Sequence, residues 1–341
     1  MGLIAQASLH YVFIDWSDMG TLEKYQQLLA DTEEYDFSKT NEFLYCNTQQ
    51  VIKFFSDEKI VNGRVRKAAM KPLVFLCITF VSNQWYSYDF IQGTTLYADN
   101  NPSLFNKLLF WLETKLWTPA PDVVPAHMQT LCRSFYYDKT RARLGEYDKK
   151  YANSIAYTSL NGQPIENIHN LIRDIPWDEL YLGLPTFIHG DLQFDNILHD
   201  KETEQFFLLD WRQDFADEIS FGDIYYDLAK LMGGIIINYD YIKAGLFRVT
   251  EEWSNLYVDF AQRFNGTYYL NSLEQYINKR GYDFRRVRLL VGLIYLNMSP
   301  LHHPPFDKAL HALGRMILTE VLYGAKKTSN LNFIPSTMMS T

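Results

Sequence analysis

FIHGDLQFDNILHD, Phe187–Asp200, decides how this chain is read. A His, two Asps and an Asn are crowded between two apolar pairs, Phe187-Ile188 and Ile197-Leu198. The polar residues form the pattern His-x-Asp-x-x-x-x-Asn, from His189 through Asp191 to Asn196. Downstream comes FFLLDW, Phe206–Trp211, an apolar strand ending in Asp210. Phosphoryl transfer needs little covalent help from a protein; it needs positioning and charge stabilisation. Mg²⁺ takes hard oxygen ligands, a carboxylate or two together with phosphate oxygens. On that chemistry Asp191 meets an acceptor hydroxyl, and Asn196 and Asp210 hold the metal. Flanking strands keep the polar loop rigid. A capped turn would explain His189 and Asp191 by themselves, but it would not require the downstream Asn and Asp.

Composition bounds the function classes. The chain has 341 residues, 47% hydrophobic and 21% charged, enough for a sizeable core and unlike a disordered chain. Aromatics reach 16% and are read first as core. A net charge of −8 provides no global field for nucleic-acid phosphates or an anionic membrane, so neither is expected as a partner. Cys46, Cys77 and Cys132 are too scattered for a metal site and read as reduced thiols. No basic start precedes an apolar run, Gln6 stands where a myristoylation signal wants Ser or Thr, and Leu73–Val81 is too short to span a bilayer. The expectation is a cytoplasmic protein; nothing in the sequence indicates its oligomeric state.

Outward from the motif, the first ninety residues are strand-rich. Asn41–Cys46 and Gln49–Phe55 suit a hairpin across Asn47-Thr48, Leu73–Val81 reads as a buried strand and Trp85–Ile91 as another. Asp57–Met70 is helical in character, weakened by Gly63. Asn101-Pro102 starts a helix to Trp117, and Pro119, Pro121 and Pro125 lead to a second from about Ala126. After Asp223 the pattern is mostly helical. The expected layout is an α+β fold: a small strand-rich lobe over residues 1–90, a larger, mainly helical lobe over 91–327, and a flexible tail over 328–341.

HGDLQFDNIL, LLDW and GDIYYDLAKL resemble the aminoglycoside phosphotransferase and choline kinase family, within the bilobal protein-kinase-like fold. The resemblance covers about residues 40–235 and is strongest over 187–231. It implies that Asp191 is the catalytic base, that His189 braces the catalytic loop, and that Asn196 and Asp210 are Mg²⁺ ligands. It further implies that Asp227 hydrogen-bonds the loop backbone. By the same resemblance Lys53, in the strand QQVIKFF, meets the ATP phosphates, and backbone groups of Asp89, Phe90 and Ile91 meet adenine. Ser38 and Thr40 are the candidates for covering the phosphates, since hydroxyls and amides can cradle them without glycine. The sequence departs from the family in two ways: VNGRVRKAAM carries Arg64 and Arg66 where a lysine-holding Glu is usual, and no glycine-rich loop precedes Lys53.

The expected activity is an ATP-dependent small-molecule kinase acting on a hydroxyl. A choline or aminoglycoside site needs carboxylates and aromatic faces, and Trp211, Tyr225, Tyr226, Trp253 and Tyr257 could supply the latter. Arg212, however, follows Trp211 where choline-kinase-like chains tend to be acidic, and it suits an acceptor bearing hydroxyls, carboxylate or phosphate. A sugar, polyol or related surface-polysaccharide precursor is therefore expected, with choline or ethanolamine, and a nucleotide-binding pseudokinase, as the alternatives. His302, in MSPLHHPPF, is a candidate for lining the acceptor pocket; adjacent histidines without a third ligand do not make a metal site. The run Arg133, Lys139, Arg141, Arg143, Lys149, Lys150 is interleaved with acids and reads as a solvated helix face. In YVFIDWSDMGTL, Asp15 and Asp18 are spaced three apart, one residue wider than the Asp-x-Asp of haloacid-dehalogenase-type phosphatases.

Overall fold

Asn47 makes the first turn. Its Oδ1 accepts from the amides of Gln49 and Gln50, both at 2.8 Å, and this side-chain turn joins β1 (Glu42–Cys46) to β2 (Gln50–Phe55). The computed structural model describes residues 42–99, 101–152, 156–263 and 265–324, all in one compact unit. Ser38, Thr40, the Asp15/Asp18 stretch and the tail 328–341 lie outside the described residues.

In β2 the inward positions are Val51, Lys53 and Phe55, so the period-2 alternation of a strand turns Lys53 to the buried face with two apolar neighbours. Asp57 then caps α1 (Glu58–Met70), accepting from the Lys59 amide at 2.9 Å. Gly63 lies within this helix for a packing reason: a Cβ there would come 2.8 Å from the Gln213 side chain. β3 (Ile78–Val81) and β4 (Trp85–Asp89) complete an antiparallel sheet in the order β1-β2-β4-β3.

Leu73–Val81 is not the single buried strand expected. Leu73 is 87% exposed, Val74–Leu76 are buried with Phe75 in an isolated parallel bridge to Leu208, and only Ile78–Val81 forms a strand, at the sheet edge, where solvent reaches its outer residues. The apolar run is real, but Val74 and Phe75 cover the junction below the sheet rather than filling its middle; Phe75 lies 4.7 Å from the Trp211 ring.

β5 (Thr94–Thr95) leads to α2 (Pro102–Trp111), capped by Asn101 onto Ser103 N and continued by a π-helical turn to Leu116. α3 (Pro125–Cys132) runs through a second π-helical turn, Arg133–Asp138, into α4 (Lys139–Lys150). Short strands β6 (Ser159–Leu160) and β7 (Gln163–Pro164), helices α5 (Ile168–Asp174) and α6 (Trp177–Tyr181), and β8 (Pro185–Thr186) precede the opening motif. β9 (Ile197–Asp200) and β10 (Gln205–Leu208) pair antiparallel behind it, with β5 on the other edge of β9. After β11 (Gly222–Asp223), α7 (Ile224–Ile236) is buried along its whole length. At roughly 1.5–3 kcal/mol for each buried Leu or Ile, it is a rigid platform.

α8 (Tyr239–Lys243) is followed by a feature the helical reading missed, the hairpin β12 (Phe247–Glu252) and β13 (Asn255–Phe260). Helices α9 (Gly266–Lys279), α10 (Phe284–Met298) and α11 (Phe306–Tyr323) close the C-terminal part. The fold is thus α+β, with a strand-rich N-terminal region and a mainly helical C-terminal part. No described helix is long and apolar enough to cross a membrane.

Candidate functional site

Hydrogen bonds tie the opening motif to the segment carrying Asp210. His189 is fully buried, and its Nε2 lies 2.7 Å from the Leu209 carbonyl while its Nδ1 accepts from the Asp191 amide at 3.1 Å. The neutral imidazole with Nε2–H donating satisfies both bonds. The Leu209 amide donates to the Asn196 carbonyl at 2.8 Å, and the Arg212 amide to the His189 carbonyl at 3.0 Å. Asp210 is held between these bonds with a left-handed backbone, φ 52°, a conformation that Asp tolerates better than most residues. Gly190, at φ +87°, permits the turn, and a Cβ there would come 2.7 Å from that of Arg212.

Burial pushes the His189 imidazole down to about 3 from an ordinary value of 6.5, ahead of the opposing charge of Asp191. His311, stacked on Tyr147 at 4.0 Å, is lowered to about 3 as well, mainly by burial. Both stay neutral in the folded chain at pH values where the unfolded chain binds a proton. Stability is therefore fully present above about pH 6.5 and is lost as pH falls toward 3, by up to about 1.4 kcal/mol per pH unit for each histidine. Thermal unfolding at constant ionic strength should show a flat Tm from pH 8 to 7 and a falling one from pH 6 to 5. A Tm unchanged across pH 7 to 5 would contradict the buried neutral histidines.

Asp227, on α7, receives three donors: the His189 amide at 2.8 Å, the Gly190 amide at 2.8 Å and the Trp117 indole N–H at 3.0 Å. It is completely buried, and burial pushes its carboxyl up against those bonds. One turn on, Lys230 reaches Asp191, with Nζ 2.6 Å from Oδ1 and only 8% of its side chain exposed. Gln193 Nε2 donates to the same oxygen at 3.0 Å. Burial would raise the Asp191 carboxyl, but the Lys230 ammonium and the Gln193 amide outweigh it and hold it below the usual carboxylate range. With 34% of its side chain exposed, Asp191 still opens to solvent. So weak a base suits orienting a hydroxyl more than stripping its proton early.

Lys53 forms an ion pair with Asp210 across the whole motif region, and its Nζ lies 3.9 Å from Glu42. Arg64 of α1 donates to the same Asp210 oxygen at 2.9 Å. The helix thus contributes a cation, its own Glu58 being exposed at the start, and the carboxylate partners of Lys53 come from β1 and from Asp210. Asn196 donates its Nδ2 to the Asp191 carbonyl at 2.8 Å, which turns its Oδ1 away from that bond and toward a cation's needs. Two oxygen-bearing side chains of this kind fit Mg²⁺, which draws its remaining ligands from phosphate and water. Among the described residues no cluster of three His, Cys, Asp or Glu could hold a metal by itself.

Other expected site residues fare differently. Trp211 is a correction: it is fully buried, its indole donates to the Arg64 carbonyl at 2.9 Å, and it cannot line an acceptor pocket. Tyr225 and Tyr226 are also buried, whereas Trp253 is 94% exposed at the β12–β13 turn. Asp89 ends β4, and the Phe90 amide is already given to the Gln49 carbonyl at 2.8 Å, so Phe90 offers adenine no amide. Ile91 comes next, half-buried. His302 lies beside Phe306, ring centroids 5.1 Å apart, and its carbonyl accepts from Lys150 at 2.9 Å. Arg212 makes no ion pair with Asp214 or Asp217; its Nε donates to the Asp214 carbonyl at 3.1 Å and its guanidinium lies over Phe135 at 5.0 Å.

Sequence reasoning missed Lys67 and Lys230. Lys67 donates to the Arg212 carbonyl at 2.8 Å from α1, tying that helix to the segment after Asp210, and burial lowers it to about 7. Lys230 had one available signal, its position three residues after Asp227 on a helix, which places both on one face.

Residues 124–268 match the phosphotransferase enzyme family APH. The fold is similar to the gentamicin complex of APH(2'')-IIa, at 13% identity and a TM-score of 0.45, covering 87% of this chain and 95% of that one. It is similar to an ethanolamine kinase of Plasmodium vivax, at 13% identity and a TM-score of 0.43, covering 91% and 95%. A choline/ethanolamine kinase family protein of Mesorhizobium loti is similar at 14% identity and a TM-score of 0.40, covering 91% and 95%. No curated protein sequence matches. The family match supports an ATP-dependent phosphotransferase acting on hydroxyl groups.

Proposed function

With residues 124–268 in the phosphotransferase enzyme family, we propose that this protein is an ATP- and Mg²⁺-dependent kinase of a small hydroxyl compound, a sugar, polyol or related surface-polysaccharide precursor. The observation that carries the reading is the ion pair of Lys53 with Asp210, 157 residues apart in sequence, beside a loop presenting Asp191 and Asn196. ATP supplies the phosphoryl group, and Mg²⁺ neutralises the charge on its oxygens.

The chain's own residues do the rest. Lys53 and Arg64 give the phosphate side of the site its positive charge, and their shared contact with Asp210 keeps that carboxylate in place for the metal. Asn196, fixed by its bond to the Asp191 carbonyl, offers the second oxygen. Asp191 accepts a hydrogen bond from the acceptor hydroxyl and takes its proton late, which its depressed basicity permits. His189 and Asp227 act through others: they position the loop. The burial of Trp211, Tyr225 and Tyr226 leaves fewer aromatic faces for a quaternary ammonium and speaks against choline as acceptor.

Asp210→Ala should weaken Mg-nucleotide binding by about 10–100-fold, the range for losing a charge-assisted contact. Calorimetric titration with Mg-AMP-PNP measures it. Consumption of ATP across pools of sugars and polyols tests the reading as a whole. Nucleotide binding without turnover on any pool, together with no ATP hydrolysis, would favour the pseudokinase.

A further inference from the structure

Cationic side chains gather around Asp191. Lys230 lies on Asp191 itself. Lys139 opens α4, and its Nζ is 4.3 Å from the Phe135 ring and 5.9 Å from Tyr226. Arg212 lies over the same Phe135 ring at 5.0 Å, and Tyr226 is one turn before Lys230 on α7. Two cationic side chains, Lys139 and Arg212, therefore share one aromatic ring, and a third, Lys230, lies on the Asp191 carboxylate. Among the described residues, no carboxylate lies within ion-pair distance of Lys139 or Arg212. Asp214 meets Arg212 through its carbonyl while its own carboxylate accepts from the Asp217 amide, and Arg143 on the next turn is paired with Glu146. Lys139 is held well below its ordinary value by burial and then by the charges of Arg212, Lys230 and Arg143. Like charges this close, partly out of water, are stabilised by a counter-anion.

We propose that the acceptor is anionic: a hydroxyl compound bearing a phosphate or carboxylate, seated on Lys139 and Arg212 with its hydroxyl toward Asp191. The inference rests on the kinase reading and names its substrate class. Arg212 has two terminal nitrogens that can fork onto the anion, Lys139 supplies a point charge, and Lys230 keeps Asp191 from repelling the ligand. A cationic acceptor would meet like charge here. The phosphoryl group of the nucleotide is the other anion that could use these cations, so the test is run with that position filled.

Mg-AMP-PNP is first titrated into the protein, and glycerol phosphate, gluconate and glycerol are then titrated separately into the saturated complex. The two anions should bind and glycerol should not. The double variant K139Q/R212Q should weaken anion binding at least about tenfold, the loss of one charge-assisted contact, and leave Mg-AMP-PNP affinity unchanged. Glycerol binding as well as the anions do, or neither anion binding, overturns the proposal and leaves the kinase reading standing. A double variant that loses nucleotide affinity assigns the cations to the phosphoryl group and also overturns it. If Mg-AMP-PNP itself fails to bind, the kinase reading falls and the anionic acceptor falls with it.

Discussion

Asp191→Asn should lower phosphoryl transfer by about 10²- to 10⁴-fold, the range for losing a positioned acid–base group, while the affinity for Mg-nucleotide changes little. The division rests on the contacts. Asp191 touches Lys230 and Gln193, whereas the ion pair with Lys53 belongs to Asp210. Asparagine keeps the shape and one acceptor oxygen, so Gln193 can still bond to it and the loop should hold. What disappears is the charge that orients the hydroxyl and takes its proton. Transfer from labelled ATP to an acceptor used by the unaltered protein, alongside calorimetric Kd values for Mg-AMP-PNP, separates the two effects. Equal loss of turnover and nucleotide affinity would show that Asp191 serves the nucleotide and that its role has been misassigned.

Asp227→Ala should cost about 3–6 kcal/mol of folding stability, a very large effect for one residue. It strands three fully buried donors, the amides of His189 and Gly190 and the indole of Trp117, and each unsatisfied group costs about 1–3 kcal/mol. No water-filled surface lies nearby to replace the carboxylate, since α7 is buried throughout. Asp227→Asn keeps one acceptor oxygen but turns an amide N–H₂ toward a donor, so it should lose less and still fold. Urea unfolding of both variants reads the difference in midpoint at constant m-value. A loss below about 1 kcal/mol for the alanine variant would mean that the loop finds other acceptors and that Asp227 is not its anchor.

The local chemistry was legible because it is written in contiguous residues. HGDLQFDNIL places His189, Asp191 and Asn196 on one loop, and the strand of FFLLDW ends at Leu208, two residues before Asp210. The second apolar flank, Ile197-Leu198, begins β9, which pairs with β10, whereas Phe187-Ile188 follows β8 as buried chain outside any strand. Asn47, Asp57 and Asn101 announced a turn and two helix starts, since an Asn or Asp side chain bonds backbone amides two or three residues on whatever the rest of the fold does. The strand pattern of QVIKFF likewise holds Val51, Lys53 and Phe55 to one face, although which face meets solvent is not a local property.

Other features were not local. Leu73–Val81 has the composition of a buried strand, but strand pairing needs a partner, and the sheet order leaves it at an edge with Phe75 inserted against Trp211. Trp211 reads equally as a cage or a core residue until Arg64 and Phe75 are brought against it. The basic run in α4 reads as a solvated face under α-helical periodicity. Arg133, Arg141, Lys149 and Lys150 are indeed exposed, but Lys139, directly after the π-helical turn Arg133–Asp138, lies 4.3 Å from the Phe135 ring.

By itself, the sequence determined that His189, Asp191 and Asn196 share one loop and that Asp210 follows a strand closely, because those relations span a few residues of backbone geometry. Only the tertiary structure decided what surrounds them: that Lys230 rests on Asp191, that Arg64 joins Lys53 on Asp210, and that Lys139 and Arg212 share one ring. The physical reason is range. Hydrogen-bonded turns and strand alternation are set by neighbours in the chain, whereas the charge a side chain feels is set by neighbours in space, and for Asp210 the partner in space is 157 residues away along the chain.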